Sequence, residues 1–273
     1  MPIAFATSRL SAAYVLVLML IWILPASNAA AAQLVEFSAR EGTASNKLLG
    51  YLAKPGGAGP FPAVVILHAC GGLLPQNILM AEQLKSWGYV AVAIDSLGSR
   101  GWSNNCLGGF LNDQPVDAYS GLNFLAAQNF VDPDRIGLLG YSMGGGAAMV
   151  AVERGRIEQS FPRKFRAVIA YYPGRCEGSS GIMMAPTLIL IGALDDWTPV
   201  QPCQELVKRA SDAGVTIDIV VYPNAYHAFD IPELGPGRRY MNHWLEYDES
   251  ATKDALTQTR RFLDEHLAAT AKR

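Results

Sequence analysis

The feature that most constrains the fold is the stretch 135–150, which reads Arg-Ile-Gly-Leu-Leu-Gly-Tyr-Ser-Met-Gly-Gly-Gly-Ala-Ala-Met-Val. Its apolar residues 136–139 predict a buried strand, and small residues that suit a helix follow the serine. The pentapeptide around Ser142 fits G-x-S-x-G, the nucleophile elbow that joins a strand to a helix by a sharp turn. Such a turn needs small residues two positions before and after the serine, which Gly140 and Gly144 supply. The stretch therefore predicts a strand, a strained turn and a helix.

The rest of the chain predicts an α/β fold. Apolar runs without polar alternation indicate buried strands at residues 61–67, 89–94, 167–171, 187–191 and 217–222. Two earlier strands are expected at 34–37 and 48–53, and helices at 77–87, 117–128, 204–213 and 251–267. Asp132-Pro133-Asp134 predicts a turn before the elbow strand. Strands of this kind alternating with helices predict one domain, residues 33–273, with a mainly parallel central sheet flanked by helices.

Residues 1–32 have the pattern of a signal peptide. Arg9 gives a positive start, residues 10–24 are apolar, and small residues follow Pro25. Cleavage after Ala29 or after Ala32 fits the sequence, so the exact site stays open. The apolar run is short for a membrane span, which favours removal and export to the periplasm or beyond, with no stable membrane insertion afterwards. An uncleaved anchor remains the alternative.

Charge and composition exclude some classes of function. The chain has 273 residues, with 22 Lys and Arg against 24 Asp and Glu. Without a basic patch, nucleic acid is not an expected partner. No run such as H-x-x-x-H suggests a metal site, so neither metal nor cofactor is predicted. The oligomeric state is left open.

A serine hydroxyl needs a base to remove its proton and an acid to orient that base. In an elbow-bearing sheet the acid and then the histidine follow later strands. His227 comes five residues after the strand at 217–222 and is the predicted base. His68 precedes the serine, His243 has no predicted strand before it, and His266 falls in the closing helix.

The acid and the oxyanion donors are expected in two other loops. Asp195 and Asp196 both follow the strand at 187–191, and position alone does not separate them. The backbone N–H of Met143, the residue after the nucleophile, is one expected oxyanion donor. The second is expected after the strand at 61–67, where Cys70 is preferred and Ala69 comes next.

Four cysteines could form disulfides if the chain is exported. They allow three pairings, and four reduced, buried thiols remain an alternative. They are Cys70, Cys106, Cys176 and Cys203.

With these segments in view, the chain resembles the dienelactone hydrolase family of the α/β-hydrolase fold. The resemblance is carried by His68-Ala69-Cys70-Gly71-Gly72, Arg135-Ile136-Gly137, Gly140-Tyr141-Ser142-Met143-Gly144-Gly145, Asp195 with Pro199, and Tyr222-Pro223 with Tyr226-His227-Ala228-Phe229. It implies an α/β-hydrolase fold with Asp195 as acid, His227 as base and Cys70 as second oxyanion donor. The sequence departs from the founding enzymes in two ways. Ser142 replaces a cysteine nucleophile, and Ala69 stands where a glutamate helps to activate that thiol.

The resemblance also suggests roles outside the triad. Arg100 lies near the position of an arginine that binds the substrate carboxylate in the family, with a surface arginine as the alternative. We expect Tyr141, Trp102 and Trp197 to line the pocket, with simple packing as the alternative. In this fold the cysteines lie in loops that follow neighbouring strands, which gives the hypothesis of Cys70–Cys106 and Cys176–Cys203 disulfides bracing the rim.

The sequence thus predicts an exported serine hydrolase that acts on a small-molecule carboxylic ester or lactone. A polyester- or lipid-cleaving esterase with the same triad is one alternative. A non-catalytic binding protein that keeps the fold is another, although it would predict damage at Ser142, Asp195 or His227, and all three are present.

Overall fold

A computed structural model describes residues 1, 33–39, 47–108 and 113–268. The predicted signal peptide, apart from Met1, lies outside the described residues. No helix in these described ranges is long and apolar enough to cross a membrane.

In the part of the chain that the structure describes, eight strands form the central sheet. They are β1 (Gln33–Ser38), β2 (Lys47–Ala53), β3 (Phe61–Leu67), β4 (Val90–Asp95), β5 (Val131–Tyr141), β6 (Val168–Tyr171), β7 (Thr187–Gly192) and β8 (Ile217–Tyr222). Their order is β1-β2-β4-β3-β5-β6-β7-β8. The pairs β1–β2 and β2–β4 are antiparallel, and the pairs from β4 to β8 are parallel. The predicted α/β fold with a mainly parallel sheet is confirmed.

The central strands are buried along most of their length. In β3, the residues from Ala63 to Leu67 are fully shielded from solvent, and β7 is buried throughout. Strands covered on both faces have no polar side to present, which explains the unbroken apolar runs in the sequence. The edge strand β8 is half-exposed in its middle, because its outer side has no neighbouring strand in the sheet.

Among the described residues, six α-helices accompany the sheet. They are α1 (Pro75–Ser86), α2 (Gln114–Ala126), α3 (Met143–Val152), α4 (Arg156–Gln159), α5 (Val200–Asp212) and α6 (Glu249–His266). The closing helix α6 begins where the Asp248 side chain accepts the Ala251 N–H at 2.9 Å. Its buried residues Ala251, Ala255 and Phe262 share one face, at the spacing of a helix that packs on a sheet.

The structure differs from the sequence-based expectations in two places. The expected turn at Asp132-Pro133-Asp134 belongs to β5, which starts at Val131 and pairs with β3 across a register irregularity between Phe61 and Ala63. The region before α6 also contains an unpredicted antiparallel hairpin, β9 (Arg238–Tyr240) with β10 (His243–Leu245). His243 therefore lies in a strand, and Leu245 of that strand forms a bridge to His227.

Candidate active site

The elbow serine occupies a strained backbone conformation between β5 and α3. Ser142 has φ 52° and ψ −113°, outside the regions that non-glycine residues normally adopt. Its N–H donates to the Tyr171 carbonyl at 2.9 Å, and its carbonyl accepts the Gly146 N–H at 3.0 Å. The neighbouring strand and the first turn of α3 therefore hold the strained residue in place.

Close backbone contacts explain the two glycines of the elbow. A Cβ atom on Gly140 would lie 2.1 Å from the Gly144 carbonyl oxygen. One on Gly144 would lie 2.5 Å from the His68 carbonyl oxygen. Neither position can hold a side chain without moving the backbone, so the G-x-S-x-G pattern reflects packing around the turn.

The structure brings Ser142, His227 and Asp195 together at the carboxyl edge of the sheet. His227 Nε2 lies 3.0 Å from Ser142 Oγ, and His227 Nδ1 lies 2.7 Å from Asp195 Oδ2. All three residues are buried. These are the hydrogen-bond contacts that a general base needs with a nucleophile and with an orienting carboxylate.

The turn after β7 distinguishes the two candidate aspartates. Asp195 Oδ1 accepts the N–H groups of Trp197 at 2.9 Å and Thr198 at 2.8 Å, which leaves Oδ2 directed at His227. The Asp196 side chain is half-exposed and lies 3.4 Å from His243 Nδ1 instead. Asp195 is thus the carboxylate beside the candidate base.

A tight crossing of two loops sets the distance between acid and base. A Cβ atom on Gly192, at the end of β7, would lie 2.1 Å from the Ala225 carbonyl oxygen. The Leu194 N–H donates to that same carbonyl at 3.0 Å. The glycine therefore lets the loop before His227 approach the strand that leads to Asp195.

The expected oxyanion donors flank the serine. Met143 is the first residue of α3, where backbone N–H groups have no acceptor within the helix. Cys70 lines the same cleft as Ser142, and its carbonyl accepts the Asn105 N–H at 2.8 Å. The structure joins Cys70 to Cys106 and Cys176 to Cys203 in disulfides, so the first bond ties the candidate donor loop to the long loop after β4.

The cleft above Ser142 has a volume of about 350 Å³. Its apolar lining comes from Ala69, Leu74, Trp197, Ile231, Tyr240 and Leu245. Tyr240 and Leu245 belong to the β9–β10 hairpin, which therefore covers one side of the cleft. Trp197 lines the cleft, as the sequence led us to expect, and its ring centroid lies 5.1 Å from that of His227.

Comparison with known proteins identifies the family. The model of the dienelactone hydrolase family matches residues 48–267. The chain belongs to the dienelactone hydrolase family. Members of this family act on ester bonds, so the chain is a carboxylic ester hydrolase, and the predicted resemblance is confirmed.

Individual relatives are distant. The chain is similar to a probable 2-oxo-3-(5-oxofuran-2-ylidene)propanoate lactonase from Bradyrhizobium sp., at 28% identity over 203 residues that cover 69% of this chain and 81% of the relative. A dienelactone hydrolase-like promiscuous phosphotriesterase from metagenomic libraries has a similar structure, with a TM-score of 0.70, 21% identity, and coverage of 86% of this chain and 98% of its own. Esterase 2 of Thermogutta terrifontis superposes with a TM-score of 0.66 at 20% identity, covering 88% of this chain and 96% of its own.

Three residues expected to bind substrate lie away from the cleft. Arg100 Nη1 and Nη2 donate to the two carboxylate oxygens of the buried Asp117 at 2.9 and 2.8 Å, so the guanidinium is held by an ion pair and does not line the cleft. Tyr141 ends β5, and its fully buried ring packs against Tyr171 and lines a separate cavity. Trp102 is 51% exposed and does not line the cleft.

Sequence reasoning missed a partly buried polar cluster next to His227. The Tyr172 hydroxyl donates to Asp230 Oδ1 at 2.7 Å, and Gln76 Nε2 donates to Asp230 Oδ2 at 2.7 Å. Burial raises the pKa of Asp230, although both donors oppose that shift. The Tyr172 ring lies 4.7 Å from the His227 ring, so the cluster packs against the candidate base. No spacing pattern links these three residues, because they lie in separate loops and in α1.

The sequence analysis also did not identify Thr198 as part of the site. Its Oγ1 lies 2.9 Å from Asp195 Oδ2 and 3.0 Å from His227 Nδ1, so this hydroxyl supports the contact between acid and base. Its position three residues after Asp195 was the available signal, since serine and threonine hydroxyls often bond to nearby loop groups. Within the described ranges, no group of three or more His, Cys, Asp or Glu side chains could hold a metal ion.

Proposed function

We propose that the protein is an exported serine hydrolase that cleaves carboxylic esters or lactones through an acyl-enzyme on Ser142. The observation that carries the proposal is the position of the His227 imidazole, which lies 3.0 Å from Ser142 Oγ and 2.7 Å from Asp195 Oδ2. A buried histidine between a hydroxyl and a carboxylate can accept a proton from one and have its positive charge stabilised by the other.

In the proposed first step, Ser142 Oγ forms a bond to the substrate carbonyl carbon while His227 Nε2 takes the hydroxyl proton. The carbonyl oxygen becomes an oxyanion, which the N–H groups of Met143 and Cys70 stabilise. When the tetrahedral intermediate collapses, the bond to the alcohol oxygen breaks and His227 returns the proton to that oxygen. A simple ester releases an alcohol, whereas a lactone keeps it attached to the acyl group.

In the second step water replaces the alcohol. His227 takes a proton from water as its oxygen attacks the acyl-enzyme, and then protonates Ser142 Oγ as the carboxylic acid leaves. Asp195 keeps Nδ1 of His227 protonated throughout, so Nε2 is free to accept a proton. The strained turn at Ser142 and the anchored turn at Asp195 mean that little rearrangement is needed before reaction.

Labelling and turnover of the purified protein test this mechanism. A fluorophosphonate probe should modify Ser142, and a small library of esters and lactones should contain substrates. Ser142→Ala should lose labelling and roughly 10⁴- to 10⁶-fold in kcat while unfolding at an unchanged urea concentration. An unlabelled wild-type protein, or a Ser142→Ala variant of full activity, would contradict the proposal.

Export is supported by the two disulfides and by the signal-peptide pattern of residues 1–32. Expression of the full chain in a Gram-negative host, followed by fractionation and N-terminal sequencing, tests it. We expect a periplasmic or secreted protein that starts after Ala29 or Ala32. Recovery in the cytosol with Met1 or Pro2 at the start would contradict export and leave the hydrolase proposal unaffected.

A further inference from the structure

The catalytic cleft is lined by uncharged groups. Among the described residues that line it, His227 is the only one that can become cationic, and its two ring nitrogens face Ser142 and Asp195. The Gln76 amide also reaches the cleft, but its nitrogen already donates to Asp230 and to the Tyr172 hydroxyl. A substrate carboxylate in the cleft would therefore lose water without gaining a cationic partner from these described residues.

Arg100, which the family resemblance suggested as a carboxylate-binding residue, cannot supply that cation. Arg100 donates to both oxygens of Asp117 and to the Ser96 carbonyl at 2.7 Å. Moving it to the cleft would leave Asp117 buried without its partner, which is strongly unfavourable. The ion pair thus keeps the guanidinium out of the cleft.

Aromatic rings form one wall of the cleft instead. The Trp197 indole contacts two further rings, with its centroid 5.9 Å from Tyr240 and 4.9 Å from the nearly parallel His243. Asp196 Oδ1 in turn lies 3.4 Å from His243 Nδ1, on the ring stacked against Trp197. A flat or bulky apolar group can pack on such a wall, and aromatic pairs contribute stabilisation beyond the area they bury.

We infer that this cleft selects uncharged esters that carry an aromatic or bulky apolar group beside the scissile carbonyl, and that it discriminates against substrates with a carboxylate in that position. The inference rests on the proposed function, since it assigns a substrate class to the same serine site. It is the opposite of what a carboxylate-binding Arg100 would give. The aromatic part of the preference depends on the wall formed by Trp197 and Tyr240.

A matched pair of substrates tests the charge preference. Dimethyl terephthalate and its monomethyl ester differ by one carboxylate, and each kcat/KM is divided by the rate constant of that ester with hydroxide. We expect the neutral diester to be preferred by about tenfold or more after this correction. Equal corrected values, or a preference for the anion, would overturn the inference.

Two arginine substitutions near the start of α1 provide a matched control. Leu74 is 38% exposed and lines the cleft, whereas Leu79 is 60% exposed and lies outside it. Leu74→Arg should shift the preference toward the monomethyl ester by about fivefold or more, because it brings a cation to the cleft. Leu79→Arg should leave the preference nearly unchanged. If the two variants shift the preference equally, the charge effect does not arise in the cleft.

A second pair of variants tests the aromatic wall. The ratio of kcat/KM for methyl benzoate to that for methyl butanoate should fall about three- to tenfold in Tyr240→Ala. Trp197→Ala should lower the same ratio, and the ratio cancels any common effect of the lost Trp197–His227 contact. Trp102→Ala, which removes an exposed indole outside the cleft, should not change it. An unchanged ratio in both wall variants would overturn the aromatic part of the inference.

Failure of the inference can be told apart from failure of the mechanism. If wild-type protein is labelled by the fluorophosphonate and hydrolyses phenyl acetate but does not discriminate between the terephthalate esters, only the substrate preference is wrong. If it is neither labelled nor active on phenyl acetate, the proposed serine chemistry is wrong, and the inference falls with it.

Discussion

Two buried histidines follow parallel strands of the same sheet, yet their surroundings suit them to different tasks. His68 directly follows β3 and has no exposed surface, and His227 follows β8 by five residues and is 3% exposed. Position at a strand end and burial are therefore common to both. The two histidines differ in the groups that their ring nitrogens contact.

Backbone groups occupy both nitrogens of His68. Nδ1 lies 2.6 Å from the Ala69 carbonyl and donates to it, and Nε2 accepts the Ser96 N–H at 3.1 Å. Burial lowers the pKa of His68, so the ring stays neutral near pH 7. This imidazole connects the loop after β3 to the loop after β4.

His227 instead faces a hydroxyl that can release a proton and a carboxylate that can stabilise the resulting charge. The comparison teaches that burial at the catalytic edge does not make a histidine a base. The hydrogen-bond partner of each ring nitrogen decides whether a histidine can act as a base. By this criterion His68 supports the structure of the Ala69–Cys70 loop.

The largest expected effect separates the two aspartates beside His227. Asp195→Asn should lower kcat about 10⁴-fold, because an amide holds the imidazole in the wrong tautomer and cannot stabilise its charge. Asp196→Asn, one residue away and half-exposed, should change kcat by less than about threefold. Steady-state kinetics on phenyl acetate measures both, and similar losses in the two variants would remove Asp195 from the mechanism.

The next effect concerns His68. His68→Ala should lower the free energy of unfolding by roughly 3 to 4 kcal/mol, since it leaves a cavity and a buried Ser96 N–H without an acceptor. Urea unfolding followed by tryptophan fluorescence measures this loss. A 10⁴-fold fall in kcat with unchanged stability would show that His68, like His227, acts in the chemistry.

The two disulfides should differ in their effect on catalysis. Replacing either pair by serines should lower the free energy of unfolding by about 2 to 3 kcal/mol, because the two cross-links close loops of similar length, with sequence separations of 36 and 27. Removal of Cys70–Cys106 should also lower kcat, by no more than the roughly hundred- to thousandfold that a lost oxyanion donor costs. Removal of Cys176–Cys203 serves as the control, and equal kcat values in the two variants would argue against Cys70 as a donor.

The smallest expected effect is a pH dependence of stability. The pKa of folded His68 is below the ordinary value of about 6.5, so the unfolded chain binds more protons as the pH falls. His68 should therefore favour unfolding below about pH 6.5, by up to about 1.4 kcal/mol per pH unit until the folded state is protonated too. Urea titrations at pH 7.5 and 5.5 should show a smaller loss in His68→Gln than in wild type. Identical losses would mean that His68 does not titrate on unfolding.

The scaffold and the three candidate triad positions could be predicted because strand ends in a parallel sheet meet at one edge. Position could not separate Asp195 from Asp196, since that choice depends on which side chain accepts the N–H groups of the following turn. Arg100 could not be placed, because its ion pair is with a residue 17 positions away. The direction of the Tyr141 ring depends on the face of β5 from which it projects, and the motif does not specify it.

The β9–β10 hairpin left little trace in the sequence. Its strands have three residues each, and the residues of β9 are all exposed to some degree and include two arginines. Met241 and Asn242 both adopt positive φ at the turn, where Asn-Gly would have been a recognisable signal. Strands of three residues without such a turn are too short to show an alternation of apolar and polar residues.

One contiguous segment of the chain supplies several of the residues that line the cleft above Ser142. Ile231, Tyr240 and Leu245 all come from the segment between the loop of His227 and α6, while the nucleophile and the acid come from elsewhere. Replacing residues 231–245 should therefore change which substrates the cleft accepts, provided that the replacement keeps the bridge between Leu245 and His227. The same arrangement would let related proteins change their substrate preference through variation in this one segment.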